Sequence, residues 1–122
     1  MKVFESMDTK LNEIKAISLS TVDGFSVCTY CVEGFDIADD KLSAVSCSLT
    51  ALSNAAAQQL IGADLQSTCI ETESGTMILI NTKNAGKDYV LCFITGKSQN
   101  IGKARYFAHK LSKYITNSLV IT

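Results

Sequence analysis

A chain of 122 residues fits one domain and can bury a substantial core. A net charge of −1 and a pI ≈ 5.7 give nucleic acid and acidic lipid no general electrostatic grip. Five cysteines, an odd number, and no secretory signal over Met1–Lys15 point to a reducing cytoplasm and free thiols.

Val3, Met7, Leu11 and Ile14 recur at helical spacing, with Glu5, Asp8, Lys10 and Glu13 elsewhere, so a helix is expected over Val3–Ile14. Ala16–Val22 reads as a strand. Asp23-Gly24 marks a tight hairpin, because glycine accepts positive φ without steric cost, and Phe25–Val32 returns. Glu33–Asp36 is a loop. Asp39 and Asp40 then open a helix, one as cap and one as a carboxylate near the positive end of the dipole, and it ends near Gly62. Leu65–Glu73 is a third strand, Ser74-Gly75 a turn and Thr76–Thr82 a fourth strand. The loop "KNAGK" leads to a fifth strand, Tyr89–Thr95. Asn100 caps a last helix, Ile101–Ser118.

The order is α-β-β-α-β-β-β-α, with no repeat or linker, over one domain of residues 1–122. "TMILIN" and "YVLCFIT" are apolar on both faces, which requires cover on both sides of the sheet. An α+β fold in three layers follows: helix, sheet, helices. The third strand is thin in apolar residues and reads as an edge. Nothing guards Leu65–Ile70 with Pro, Lys or an inward charge, so that edge is expected to be paired. The mean hydropathy of +0.19 also leans toward an oligomer.

The middle helix holds no charge between Lys41 and Asp64. It is long enough to span a bilayer, but its serines, Asn54, Gln58 and Gln59 make it too polar for hydrocarbon. Three stripes are expected on it at 100° per residue. Leu42, Val45, Leu49, Leu52 and Ala56 would face the sheet. Ala44, Ser48, Ala51 and Ala55 are small and would let another backbone approach. Ser43, Cys47, Thr50, Asn54 and Gln58 would form a neutral polar stripe opposite the core. Interface cores are depleted in charge, so this helix reads as a surface covered by protein rather than an idle Ser/Ala-rich face.

With these elements placed, the chain resembles the roadblock/dynein light-chain superfamily, of the bacterial MglB-like type, over nearly its whole length. The carriers are "STVDGFSV", "DKLSAVSCSLTALSNAAAQQL", "IETESGTMILI" and "YVLCFITGKSQNIGKARYFAHKL", in this order and spacing. The resemblance implies a profilin/longin-like fold with a five-stranded antiparallel sheet ordered 2-1-5-4-3. It implies a homodimer, or a pair with a roadblock paralogue, joined third strand to third strand as one ten-stranded sheet, with the middle helices side by side. Leu65, Gln66, Ser67, Thr68, Cys69 and Ile70, with Ala44, Ser48, Ala51 and Ala55, would form that interface. Ser43, Cys47, Thr50, Asn54 and Gln58 would face a small Ras-like GTPase. The implied role is regulator, scaffold or GTPase-activating co-factor, in bacterial polarity or motility, without a cofactor and without enzymatic chemistry.

The chemical candidates are weaker. Cys28 and Cys31 form a CxxC, but in a strand, without the helix N-terminus of redox pairs or a second ligand pair for zinc. Arg105 is the only arginine, and GTPase activation can use an arginine finger; it sits in the last helix, which the resemblance places away from the paired middle helices, so an ion pair or a solvated side chain is preferred. His109 has no triad partners. Lys103, Arg105, Lys110 and Lys113 make the last helix basic around a core stripe of Ile101, Ala104, Ala108, Leu111 and Ile115; without clustered aromatics this reads as a solvated face. "GKSQNIGKA" lacks the spacing of a nucleotide loop. The competing functions are a PAS-like small-molecule sensor, an adaptor subunit with no GTPase partner, and a thiol redox enzyme.

Overall fold

Residues 14–97 and 100–117 are described by a computed structural model. Five strands form one antiparallel sheet: β1 (Ile14–Thr21), β2 (Ser26–Cys31), β3 (Ser67–Glu71), β4 (Gly75–Asn84) and β5 (Lys87–Gly96). Their spatial order is β2-β1-β5-β4-β3, the order the resemblance implied. Two helices, α1 (Asp39–Ala56) and α2 (Ile101–Asn117), cover opposite faces. The helix expected over Val3–Ile14 lies outside the described residues except for Ile14, which belongs to β1.

Two-sided strands explain the layering. Ile78, Ile80, Leu91 and Phe93 point to the α2 face, where Ala104, Ala108, Leu111 and Ile115 meet them as one stripe. Each Leu or Ile fully buried there contributes about 1.5–3 kcal/mol. Leu79, Val90 and Cys92 point the other way and pack with Leu42 of α1. β1 splits by parity: Ile17 and Leu19 join the α2 face, while Ser18 and Ser20, paired with Cys92 and Val90, lie on the other.

Turn chemistry moves several boundaries. The β1–β2 connection is a turn at Thr21–Gly24, with Gly24 N–H donating to the Thr21 carbonyl (3.1 Å) and Gly24 at φ 96°. β4 and β5 run further than expected and meet in a two-residue turn, Ala85-Gly86, both at positive φ. β3 is shorter than expected, so Leu65 and Gln66 precede it. Ala38, not Asp39, is the N-cap of α1, and no side chain caps it; Asp39 and Asp40 occupy the first turn. Asn100 caps α2 as expected, its Oδ1 accepting from Lys103 N–H (2.9 Å). At its other end α2 is held by β4: Thr82 donates to the Ser112 carbonyl (3.0 Å) and Asn84 to the Ile115 carbonyl (2.8 Å).

Candidate protein-interaction surface

α1 packs with its hydroxyls inward. Leu42, Ser43, Ser46 and Thr50 are its buried residues, and Leu49 is half-buried. The sheet beneath is lined by Ser18 and Ser20, and Ser20 donates to Ser43 Oγ at 2.9 Å. Cys47 Sγ donates to the Thr21 carbonyl at 2.9 Å, tying the helix to the base of the β1–β2 hairpin. Small residues on both sides bring helix and sheet close. The hydroxyls of Ser18, Ser46 and Thr50 have no partner in hydrogen-bonding geometry. Burial pushes the Cys92 thiol up to about 12, against a downward pull from the neighbouring Ser46 and Ser18 hydroxyls.

This arrangement corrects the expected stripes. Ser43 and Thr50, expected on a partner-facing stripe, are the groups that touch the sheet, and Cys47 is half-buried beside them. Val45, Leu52 and Ala56, expected in the core, are exposed. The physical reason is on β1: Ser18 and Ser20 complement small polar residues, and bulky leucines would not fit above them. The rotation leaves an outward face from Ala44 on that is uncharged and mixes large apolar residues with small and neutral polar ones. Leu52 is 71% exposed, Leu60 84% and Ile61 79%. Ala44, Ser48, Ala51 and Ala55 are exposed as well.

The exposed face continues beyond α1. A π-helical turn, Ala57–Ile61, follows it and is closed by Gly62 at φ 77°, whose N–H donates to the Ala57 carbonyl (2.9 Å). At the other end, Val22 and Phe25 of the β1–β2 hairpin are exposed. A shallow depression of ≈ 350 Å³, lined by Val22, Gly24, Ala44, Cys47 and Ala51, joins hairpin to helix. A larger open groove of ≈ 630 Å³ lies toward the β4 side, where Asn54 and Gln58 share a wall with Leu65 and Asn81. There Gln58 Nε2 donates to Asp64 Oδ1 at 2.7 Å.

β3 is the outer strand of the sheet on that side. Thr72 N–H donates to the Gly75 carbonyl across the β3–β4 turn, and the register pairs Ile70 with Met77 and Thr68 with Leu79. The antiparallel alternation therefore aims the N–H and C=O of Ser67, Cys69 and Glu71 away from the sheet. Ser67, Thr68, Cys69 and Ile70 are half-buried, and the Thr68 hydroxyl is buried without a partner.

The thiol candidates gain nothing from their surroundings. Cys28 and Cys31 are three apart in β2, so their side chains leave opposite faces of the sheet. Burial pushes the Cys28 thiol up. Burial, then the carboxylates of Asp39 and Asp36, push Cys31 up. Both shifts reduce the thiolate that redox exchange needs. Arg105 is exposed and His109 half-buried, both on α2, across the sheet from α1.

The sequence matches no protein-family model and no curated protein. Solved structures match the fold over most of the chain. A roadblock/LC7 domain from Streptomyces avermitilis is 16% identical and covers 93% of this chain and 92% of its own, at a TM-score of 0.79. The gliding protein MglB from Thermus thermophilus is 17% identical, covering 94% and 84%, at 0.78. MglC from Myxococcus xanthus is 16% identical, covering 94% of each, at 0.65. The chain has the roadblock/LC7 fold.

Proposed function

We propose that this protein is a dimeric regulator or scaffold of a small Ras-like GTPase and performs no chemistry of its own. One observation carries the reading: from Val45 through Ile61 the outward face of α1 and of the turn that follows it carries no charge and exposes Val45, Leu52, Leu60 and Ile61 among small and neutral polar residues. Such a face, rimmed by polar residues, is characteristic of a surface covered by protein. The free edge of β3 supplies the second half of the interface. A second copy running antiparallel pairs Ser67 with Glu71 of its partner, Cys69 with itself and Glu71 with Ser67, so a two-fold axis at Cys69 satisfies every outward backbone group. The sheet then continues through ten strands, and the two α1 helices lie on the same face.

Ala44, Ser48, Ala51 and Ala55 sit where two such helices would meet. Asn54 and Gln58, both exposed beside the groove, are the residues assigned to the GTPase. Burial of Ser43 and Thr50 removes them from that role. The fold relatives are consistent with this role, one of them being described as a gliding protein.

Light scattering at low micromolar concentration, under reducing conditions, tests the dimer. A dimeric mass is expected; a monomer at all attainable concentrations would sink the β3 pairing. Retention of a small GTPase by the immobilised dimer tests the partner. Asn54→Lys should lower that retention and leave the dimeric mass unchanged. Unaltered retention would remove Asn54 from the contact.

A further inference from the structure

The outer face of α2 holds cations that the reading above does not use. Lys103, Arg105, Lys110 and Lys113 are all exposed, and none is in an ion pair among the described residues. The helix carries four of the chain's eleven cations and none of its twelve carboxylates. A chain that is slightly acidic as a whole therefore concentrates positive charge on this helix.

Tyr106, Phe107 and Tyr114 stand among these cations on the same helix, which corrects the expectation of a face without clustered aromatics. Tyr106 is exposed and packs edge-on against Phe107, with ring centroids 5.2 Å apart. Lys110 Nζ lies 5.9 Å from the centroids of both rings. Tyr114, also exposed, is one further turn along. Lys103, Tyr106, Lys110, Lys113 and Tyr114 share one face, because their spacing follows the helical repeat.

We infer that this face docks on an anionic lipid bilayer. Complementary charge selects an acidic partner, and shape selects among acidic partners. The face is a convex helical ridge of lysines, which meets a plane of phosphates along its length; acidic-peptide motifs are typically held by clustered arginines, and this chain has only one. Tyrosines suit the headgroup layer, where one end of the ring is apolar and the other wet. The apolar stripe of α2 is buried in the core, so the mode is adsorption, not insertion. Resting on the dimer proposed above, the arrangement doubles: a two-fold axis normal to the sheet puts both α2 helices on one side and both α1 helices on the other. Six cations, Lys103, Lys110 and Lys113 of each copy, then face the membrane while the α1 pair faces away from it.

Cosedimentation tests this, using the full chain with vesicles of one-third phosphatidylserine in phosphatidylcholine and with pure phosphatidylcholine as control. Binding to the acidic vesicles alone, lost at raised salt, is expected. The double variant Lys110→Glu/Lys113→Glu should lower the partition constant roughly thirtyfold or more, at about fivefold per cation removed. Lys110→Gln/Lys113→Gln, with circular dichroism as the folding control, gives the same direction if the reversal impairs folding. No binding to acidic vesicles, or binding unchanged in both double variants, overturns the assignment. Capture of a polyglutamate peptide without vesicle binding also overturns it, in favour of an acidic protein partner. The same samples go to light scattering: a monomer that binds vesicles refutes the β3 pairing and leaves the α2 face standing, whereas a dimer that ignores them does the reverse.

Discussion

Leu52→Ala separates an interface residue from a core residue. Fully burying a leucine contributes about 1.5–3 kcal/mol. In the single chain Leu52 is 71% exposed, so most of that gain is still to be made, about 1–2 kcal/mol per copy. A two-fold interface uses the residue twice, giving about 2–4 kcal/mol, or roughly 30-fold to 1,000-fold in the dimer dissociation constant. The folding stability of the isolated protomer should hardly change, because the side chain leaves no cavity. Had Leu52 faced the sheet, the same substitution would cost about 2–5 kcal/mol of folding. Sedimentation equilibrium measures the dissociation constant, and denaturant unfolding at concentrations where the variant is monomeric measures the protomer. The reasoning is refuted if dissociation stays within about threefold of the parent. It is also refuted if the dilute protomer loses about 2 kcal/mol or more, the floor for a core leucine.

Two substitutions in the hydroxyl layer should have opposite signs. Ser43→Ala breaks the bond from Ser20 and should lower stability by about 1 kcal/mol, whereas Thr50→Val removes a buried hydroxyl with no partner and should be neutral or raise it by a similar amount. Urea midpoints of the two variants decide this; equal losses would mean that Thr50 is satisfied in solution. Ala85 at φ 52° occupies a turn position that suits asparagine, so Ala85→Asn should stabilise by about 1 kcal/mol, read as a raised Tm. Cys92 sets an alkaline limit. Its folded thiol titrates near 12 against 9.0 when unconstrained, so its contribution is complete below pH 9 and is lost as pH rises from there toward 12. Cys92→Ala should flatten that part of the stability profile relative to the parent, and superimposable profiles would show that the thiol is not held neutral.

The sheet is legible in the sequence because its signals are local and strong. Alternation in "TMILIN" and "YVLCFIT" forces two covered faces, and Asp23-Gly24 forces a reversal whichever fold contains it. The α2 stripe is legible for the same reason: four of its five expected core residues are buried, and Ile101 is half-buried. α1 is misread when hydrophobicity alone chooses its inner face. The deciding residues lie elsewhere, in β1, where Ser18 and Ser20 make a floor that accepts serine and threonine and leaves Val45 and Leu52 outside. Ser43, Ser46, Thr50 and Ser53 do recur at 3-4-3 spacing, and pairing that run with the strand serines shows the rotation. The boundaries at β3 and at Ala85-Gly86 escape a local reading because the geometry of those turns depends on the partner strand.

The hydroxyl layer also divides the domain into unequal halves. Among the described residues, twelve buried apolar side chains form the cluster on the α2 face and four that on the α1 face, where partnerless hydroxyls work against adhesion. Opening α1 away from the sheet should therefore cost less than global unfolding, and its amide protons should exchange through that partial opening while those of β4, β5 and α2 wait for the whole domain. Hydrogen exchange would then show a domain whose contact helix is detachable and whose scaffold is not. Pairing with a second chain would close the loose half, so that the helix stops breathing only when it is in use.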